Sequence, residues 1–185
     1  MLTTLLIILG IIVLLVIWII AIYNGMVKMR NTVDKEWRNI DVQLERRYDL
    51  IPNLIETVKG YAKHEQETFA RITEYRSAAM GAKTVSEKAA ANGQLSSALS
   101  GLRVQLEAYP DLKANTNFLN LQEELASTEN KISFSRSIYN EVVTNYNNKI
   151  QIFPNNIFAG MFNFKNRDLF EISTQEAKSA PKVSF

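Results

Sequence analysis

The chain has one histidine and no cysteine, so few residues could do chemistry, and spacing tests each of them. His64-Glu65 opens like the His-Glu-x-x-His zinc motif, in which two histidines one turn apart hold the metal and the glutamate activates water. Position 68 is Thr68, so the second ligand is missing. A carboxylate-bridged two-metal bundle needs two Glu-x-x-His pairs. One histidine cannot supply two, and Tyr61 stands three residues before it. Neither a phosphate-binding Gly-x-x-x-x-Gly-Lys-Ser/Thr loop nor a Gly-x-Ser-x-Gly nucleophile turn occurs. The lack of cysteine excludes disulfides, thiolate nucleophiles, iron–sulfur clusters and cysteine-bound zinc. No catalytic, metal or cofactor-binding residue is assigned, no cofactor is expected, and the chain reads as a protein that is not an enzyme.

The remaining polar candidates are interhelical. Glu123 lies next to the Leu121 and Leu125 stripe, and with Glu124 and Glu129 it could pair across helices with Arg46 or Arg47. Two readings remain open. They form a solvated charged face, in which exposed pairs contribute under about 1 kcal/mol, or an interhelix network that fixes register. Catalysis by these groups is the weakest alternative.

These candidates must be positioned by two unlike parts. The 21 Lys and Arg and the 19 Asp and Glu all lie at or beyond Lys28. Before them, Leu5 to Tyr23 reads LLIILGIIVLLVIWIIAIY. As a helix this run is about 28 Å long, close to the hydrocarbon thickness of a bilayer. A cleaved signal peptide would show cations before a shorter apolar run and small residues at its end. A retained transmembrane helix is therefore expected. Trp18 and Tyr23, with Lys28 and Arg30, form its membrane-interface set. Because Lys28 and Arg30 follow the span, the positive-inside rule predicts an inner-membrane, single-pass protein with the N-terminus outside and the remainder in the cytoplasm. From Lys28 to Asp49 the cations are nearly balanced by Asp34, Glu36, Asp41, Glu45 and Asp49, so no polybasic lipid switch is present. A formal net charge of +2 also argues against a nucleic-acid partner.

After residue 30 the apolar spacing is helical. Val33, Trp37, Ile40, Leu44, Tyr48, Ile51, Ile55, Val58 and Ala62 share one face. Pro52 interrupts them, and a kinked continuation competes with a turn. The pattern extends a helix from Asn53 to Met80. Thr84-Val85-Ser86-Glu87 has capping-box spacing, and the next helix runs to about Ala108. Pro110 ends it. The longest unbroken helix is predicted from Asn117 to Ile152, with Phe118, Leu121, Leu125, Ile132, Tyr139, Val143, Tyr146, Ile150 and Phe153 on its stripe. The fold class is all-α: an N-terminal transmembrane helix followed by a long-helix, three- to four-helix antiparallel bundle. The expected division is an anchor over 1–27, a helical bundle over 28–153 and an aromatic-rich C-terminal segment over 154–185. That segment and Phe153 before it carry six of the nine phenylalanines. Either it folds back to cap the bundle, with Phe153 in that role, or Phe158, Phe162 and Phe164 form a docking patch for a partner, a second copy or the membrane surface.

NIDVQLERRYDLIPNLIETVKGYAKHE (Asn39 to Glu65) closely resembles the signature of the LemA family of bacterial membrane proteins. EAYPDLKAN (Glu107 to Asn115), LQEELASTENKI (Leu121 to Ile132), FPNNIFAGMFNF (Phe153 to Phe164) and PKVSF (Pro181 to Phe185) resemble its later blocks, in order. The resemblance implies one N-terminal transmembrane helix and a long-helix bundle, and no established biochemical activity. Members tend to be encoded near membrane proteases and other envelope proteins, which is association rather than mechanism. The expected function is a non-enzymatic, membrane-anchored scaffold or adaptor of the cell envelope that forms a homo-oligomer on the lipid bilayer. The alternative is an accessory subunit that regulates, or presents substrates to, a membrane protease.

Overall fold

The computed structural model describes residues 1–62 and 64–171. The PKVSF block and the rest of 172–185 lie outside the described residues. The described residues form six helices and no strand: α1 (Leu2–Lys59), α2 (Gln66–Gly81), α3 (Val85–Leu106), α4 (Pro110–Lys113), α5 (Thr116–Gln151) and α6 (Asn155–Met161). The chain divides into two compact units, and α1 and α5 contribute to both. Unit 1 is Met1–Arg38 with Ile138–Arg167, and unit 2 is Asn39–Ser137 with the chain from Asp168 onward.

Pro52 lies inside α1 and does not end it. A proline at this position cannot donate to the carbonyl four residues back, which belongs to Tyr48. That carbonyl instead accepts a hydrogen bond from Nε of Arg76 on α2 at 2.7 Å. The helix proceeds because another element satisfies the acceptor that proline strands. It stops at Lys59, so the single helix expected over 53–80 is two. Gly60 follows at once, and the amides of Tyr61 and Ala62 both turn back to the Val58 carbonyl at 2.9 Å. Glycine's cost in a helix places the break there.

In unit 2, α1 from Asn39, α2, α3, and α5 up to Ser137 pack as a four-helix bundle. Ile40, Leu44, Ile51, Ile55 and Val58 of α1 are buried, with Phe69 and Ile72 of α2, Leu95, Leu102 and Leu106 of α3, and Phe118 and Ile132 of α5. Bonded pairs give the direction. Asp41–Lys88 and Arg47–Ser96 advance together along α1 and α3, whereas Arg47–Glu129 on α1 and α5, and Tyr61–Asn115 just after α1 and just before α5, run oppositely. Thr84 and Glu87 form a complete capping box on α3, and the Phe118 amide donates to Oδ1 of Asn115 at 3.1 Å to cap α5.

In unit 1, the first part of α1 is followed by the end of α5, α6 and a return segment through Arg167. The apolar window of α1 has no residue buried within the protein. An unburied all-round apolar helix of this length fits a membrane span. Phe153, expected on the α5 stripe as a cap, is instead 78% exposed. The helix ends at Gln151, and the chain turns through a cis Phe153–Pro154 peptide, so the helical repeat no longer applies. Asn163 at φ 56 closes α6. The Phe164 amide bonds the Ala159 carbonyl at 2.9 Å, the bond that seals a helix end when the residue before it is left-handed.

Candidate functional site

Two side-chain clusters stand out, one in each unit. In unit 2, Arg47 is fully buried, with its side chain 1% exposed. Its Nη1 donates to Oγ of Ser96 at 2.9 Å and to Oε1 of Glu129 at 2.7 Å, and its Nη2 to Oδ1 of Asn92. The guanidinium thus joins α1, α3 and α5. Asn92 donates through Nδ2 to the Tyr48 hydroxyl at 2.8 Å and to the Lys88 carbonyl at 2.7 Å. Burial pushes the Tyr48 phenol above its ordinary pKa, against the lowering pull of Asn92 and Arg47. Arg46 meets Glu124 at 2.5 Å, with both side chains about half exposed. Glu123 does not join these pairs. It lines an outer groove between α1 and α5 with Gln43, Ala126, Asn130 and Phe134.

The structure brings Arg46 to Glu124 and Arg47 to Glu129; Asn92, Ser96 and Arg76 are not among the residues the sequence singles out. A signal existed for Asn92. Asparagine next to Gly93 inside an alanine-rich helix is costly unless its side chain has somewhere to bond. For Arg76 no local signal exists, because its partner is a backbone carbonyl on another helix.

In unit 1, Trp18, Tyr23 and Arg30 cluster with Phe158, Phe162 and Phe164. Trp18 meets Phe158 edge-on at 6.0 Å, and Tyr23 meets Phe162 at 4.9 Å and Phe164 at 5.7 Å. The Arg30 guanidinium sits 5.2 Å above the Phe164 ring, a favourable cation–π placement. Phe164 is buried, Phe158 half-buried and Phe162 45% exposed. Lys28 is exposed. The return segment is fastened to α5. Asn147 both donates to the Arg167 carbonyl and accepts from its amide at 2.9 Å, and the Tyr146 hydroxyl donates to the Lys165 carbonyl at 3.0 Å. Arg167 also pairs with Asp34 at 3.0 Å.

His64 is exposed, and among the described residues no group of three or more His, Asp or Glu is placed to hold a metal. The arrangement holds helices together through buried polar groups and gathers aromatic rings where the apolar span ends.

The LemA family model matches residues 36–185. Among similar proteins, Protein LemA of Metamycoplasma hominis is 28% identical over 154 residues, covering 83% of this chain and 70% of that protein. Magnetosome protein MamQ 2 of Paramagnetospirillum magneticum is 24% identical, over 80% of this chain and 64% of its own length. Magnetosome protein MamQ of Magnetospirillum gryphiswaldense is 22% identical over the same shares. The chain therefore spans less than two thirds of these magnetosome proteins. Arg47 and Glu129, like Tyr61 and Asn115, join stretches that lie inside the matched region.

Proposed function

The chain belongs to the LemA family, and from that premise we propose that it is a membrane-anchored helical scaffold that works by self-assembly rather than by catalysis. It would sit in the inner membrane of a bacterial envelope, with its N-terminus outside and unit 2 in the cytoplasm. Lys28 and Arg30 after the span support that orientation. None of the relatives' names states a reaction.

The observation that carries the reading is where unspent chemistry lies in unit 2. The Nη groups of Arg47 are spent in joining helices, while its Nε is buried without a partner. The outer groove adds a second such atom beside an exposed ring. Oε1 of Gln43 is buried and has no hydrogen-bond partner, and Phe134 beside it is 69% exposed. A buried acceptor without a donor is costly, and an exposed aromatic ring beside it is the kind of anchor interfaces use.

Chemical crosslinking in membranes, followed by affinity purification of the full chain, tests the proposal. Self-adducts are expected, and Phe134→Glu should remove them while leaving helicity unchanged. A monomer without adducts would overturn it. So would stoichiometric recovery of a membrane protease with no self-adduct, which would favour an accessory role.

A further inference from the structure

We propose that α6 and the turn before it enter the bilayer beside the end of the membrane span, giving the protein a second membrane contact that does not cross. Trp18 lies within the apolar run, about 7.5 Å deeper along the helix than Tyr23 at 1.5 Å per residue. Phe158 of α6 meets Trp18 edge-on. The α6 segment therefore stands beside the last turns of the apolar run, between the levels of Trp18 and Tyr23.

Its outward surface matches that depth. Ile152, Phe153, Ile157 and Met161 are 52%, 78%, 52% and 71% exposed. Ile157 and Met161 are one turn apart, so they make an apolar strip on the outer surface of α6, with Asn156 exposed beside it. Much of the backbone there, and Asn155, is satisfied internally. The amides closing α6 bond inside the turn, and Nδ2 of Asn155 donates to the Lys149 carbonyl at 3.0 Å. Lys165 and Arg167 follow at exposed positions, where headgroup phosphates would meet them. An interfacial helix inserts about 5–10 Å, the depth that contact with Trp18 requires. The occupant is lipid because this face is continuous with the unburied span itself.

The chain has no cysteine, so single spin labels report on it cleanly. The full chain is reconstituted in phosphatidylcholine–phosphatidylglycerol vesicles carrying Ile157→Cys, Met161→Cys, Leu14→Cys or Ser97→Cys. Collision with oxygen and with an aqueous nickel chelate is then measured. Labels at 157 and 161 are expected to behave as at 14, with high oxygen access and near-complete loss of nickel access, and opposite to 97. Nickel access at 157 and 161 equal to that at 97 would overturn the proposal. So would loss of access to both probes, which would mean that a second copy covers the face. The label at 14 isolates the anchor: nickel access there would sink the membrane span and this inference together.

Discussion

Arg76 donates from Nε to the Tyr48 carbonyl at 2.7 Å, the acceptor that Pro52 leaves open one turn along α1. One side chain from α2 thus lets a proline stand inside a long helix. Arg76→Ala is expected to destabilise the full chain by about 1–3 kcal/mol, the cost of an orphaned buried acceptor. In a Pro52→Ala background the restored amide takes over the carbonyl, and the same change should cost under about 1 kcal/mol. Urea unfolding in detergent micelles measures both. Equal costs in the two backgrounds would show that Arg76 acts elsewhere.

The two Arg–Glu pairs should differ sharply. Glu129→Ala removes a carboxylate that is itself 41% exposed but faces a buried guanidinium, and is expected to cost about 1–3 kcal/mol. Glu124→Ala breaks an exposed pair and should cost under about 1 kcal/mol. The same unfolding measurement compares them, and equal losses would place Arg47 in water.

Stability should fall in alkali through Tyr48. Its folded pKa is raised by burial, so the unfolded phenol ionises first. The contribution is complete below the unfolded value of about 10 and is lost as pH rises through the folded one. Tyr48→Phe should flatten that decline while lowering stability at neutral pH, because the hydroxyl bonded to Asn92 is gone. An unchanged alkaline slope would assign the decline to other groups.

Much of this was legible because the causes are local. The α5 stripe from Phe118 to Ile150 placed the helix within a residue of Thr116–Gln151, and Thr84 with Glu87 announced the start of α3. The failures are tertiary or lie past an element's end. The sequence leaves Pro52 open between a kink and a turn because the deciding atom sits on α2. The helical repeat puts Phe153 on the stripe only if it is carried beyond Gln151. Nothing local reveals that Trp18 and Phe158, so far apart in sequence, meet. Arg46 and Arg47 stand side by side in sequence, and only packing makes one buried and the other half exposed.

The proposed orientation rests on the cations after the span. With Ser97→Cys as the sole thiol, a membrane-impermeant maleimide should label the chain in broken cells and not in intact ones. Labelling in intact cells would reverse the topology.

Particle mass in native lipid reads self-assembly without a crosslinker. The full chain, extracted with its surrounding lipid into polymer-bounded discs, is weighed by single-particle mass photometry. Multiples of the 21.1 kDa protomer are expected, reduced to single protomers by Phe134→Glu. Single protomers in the unaltered protein would overturn self-assembly.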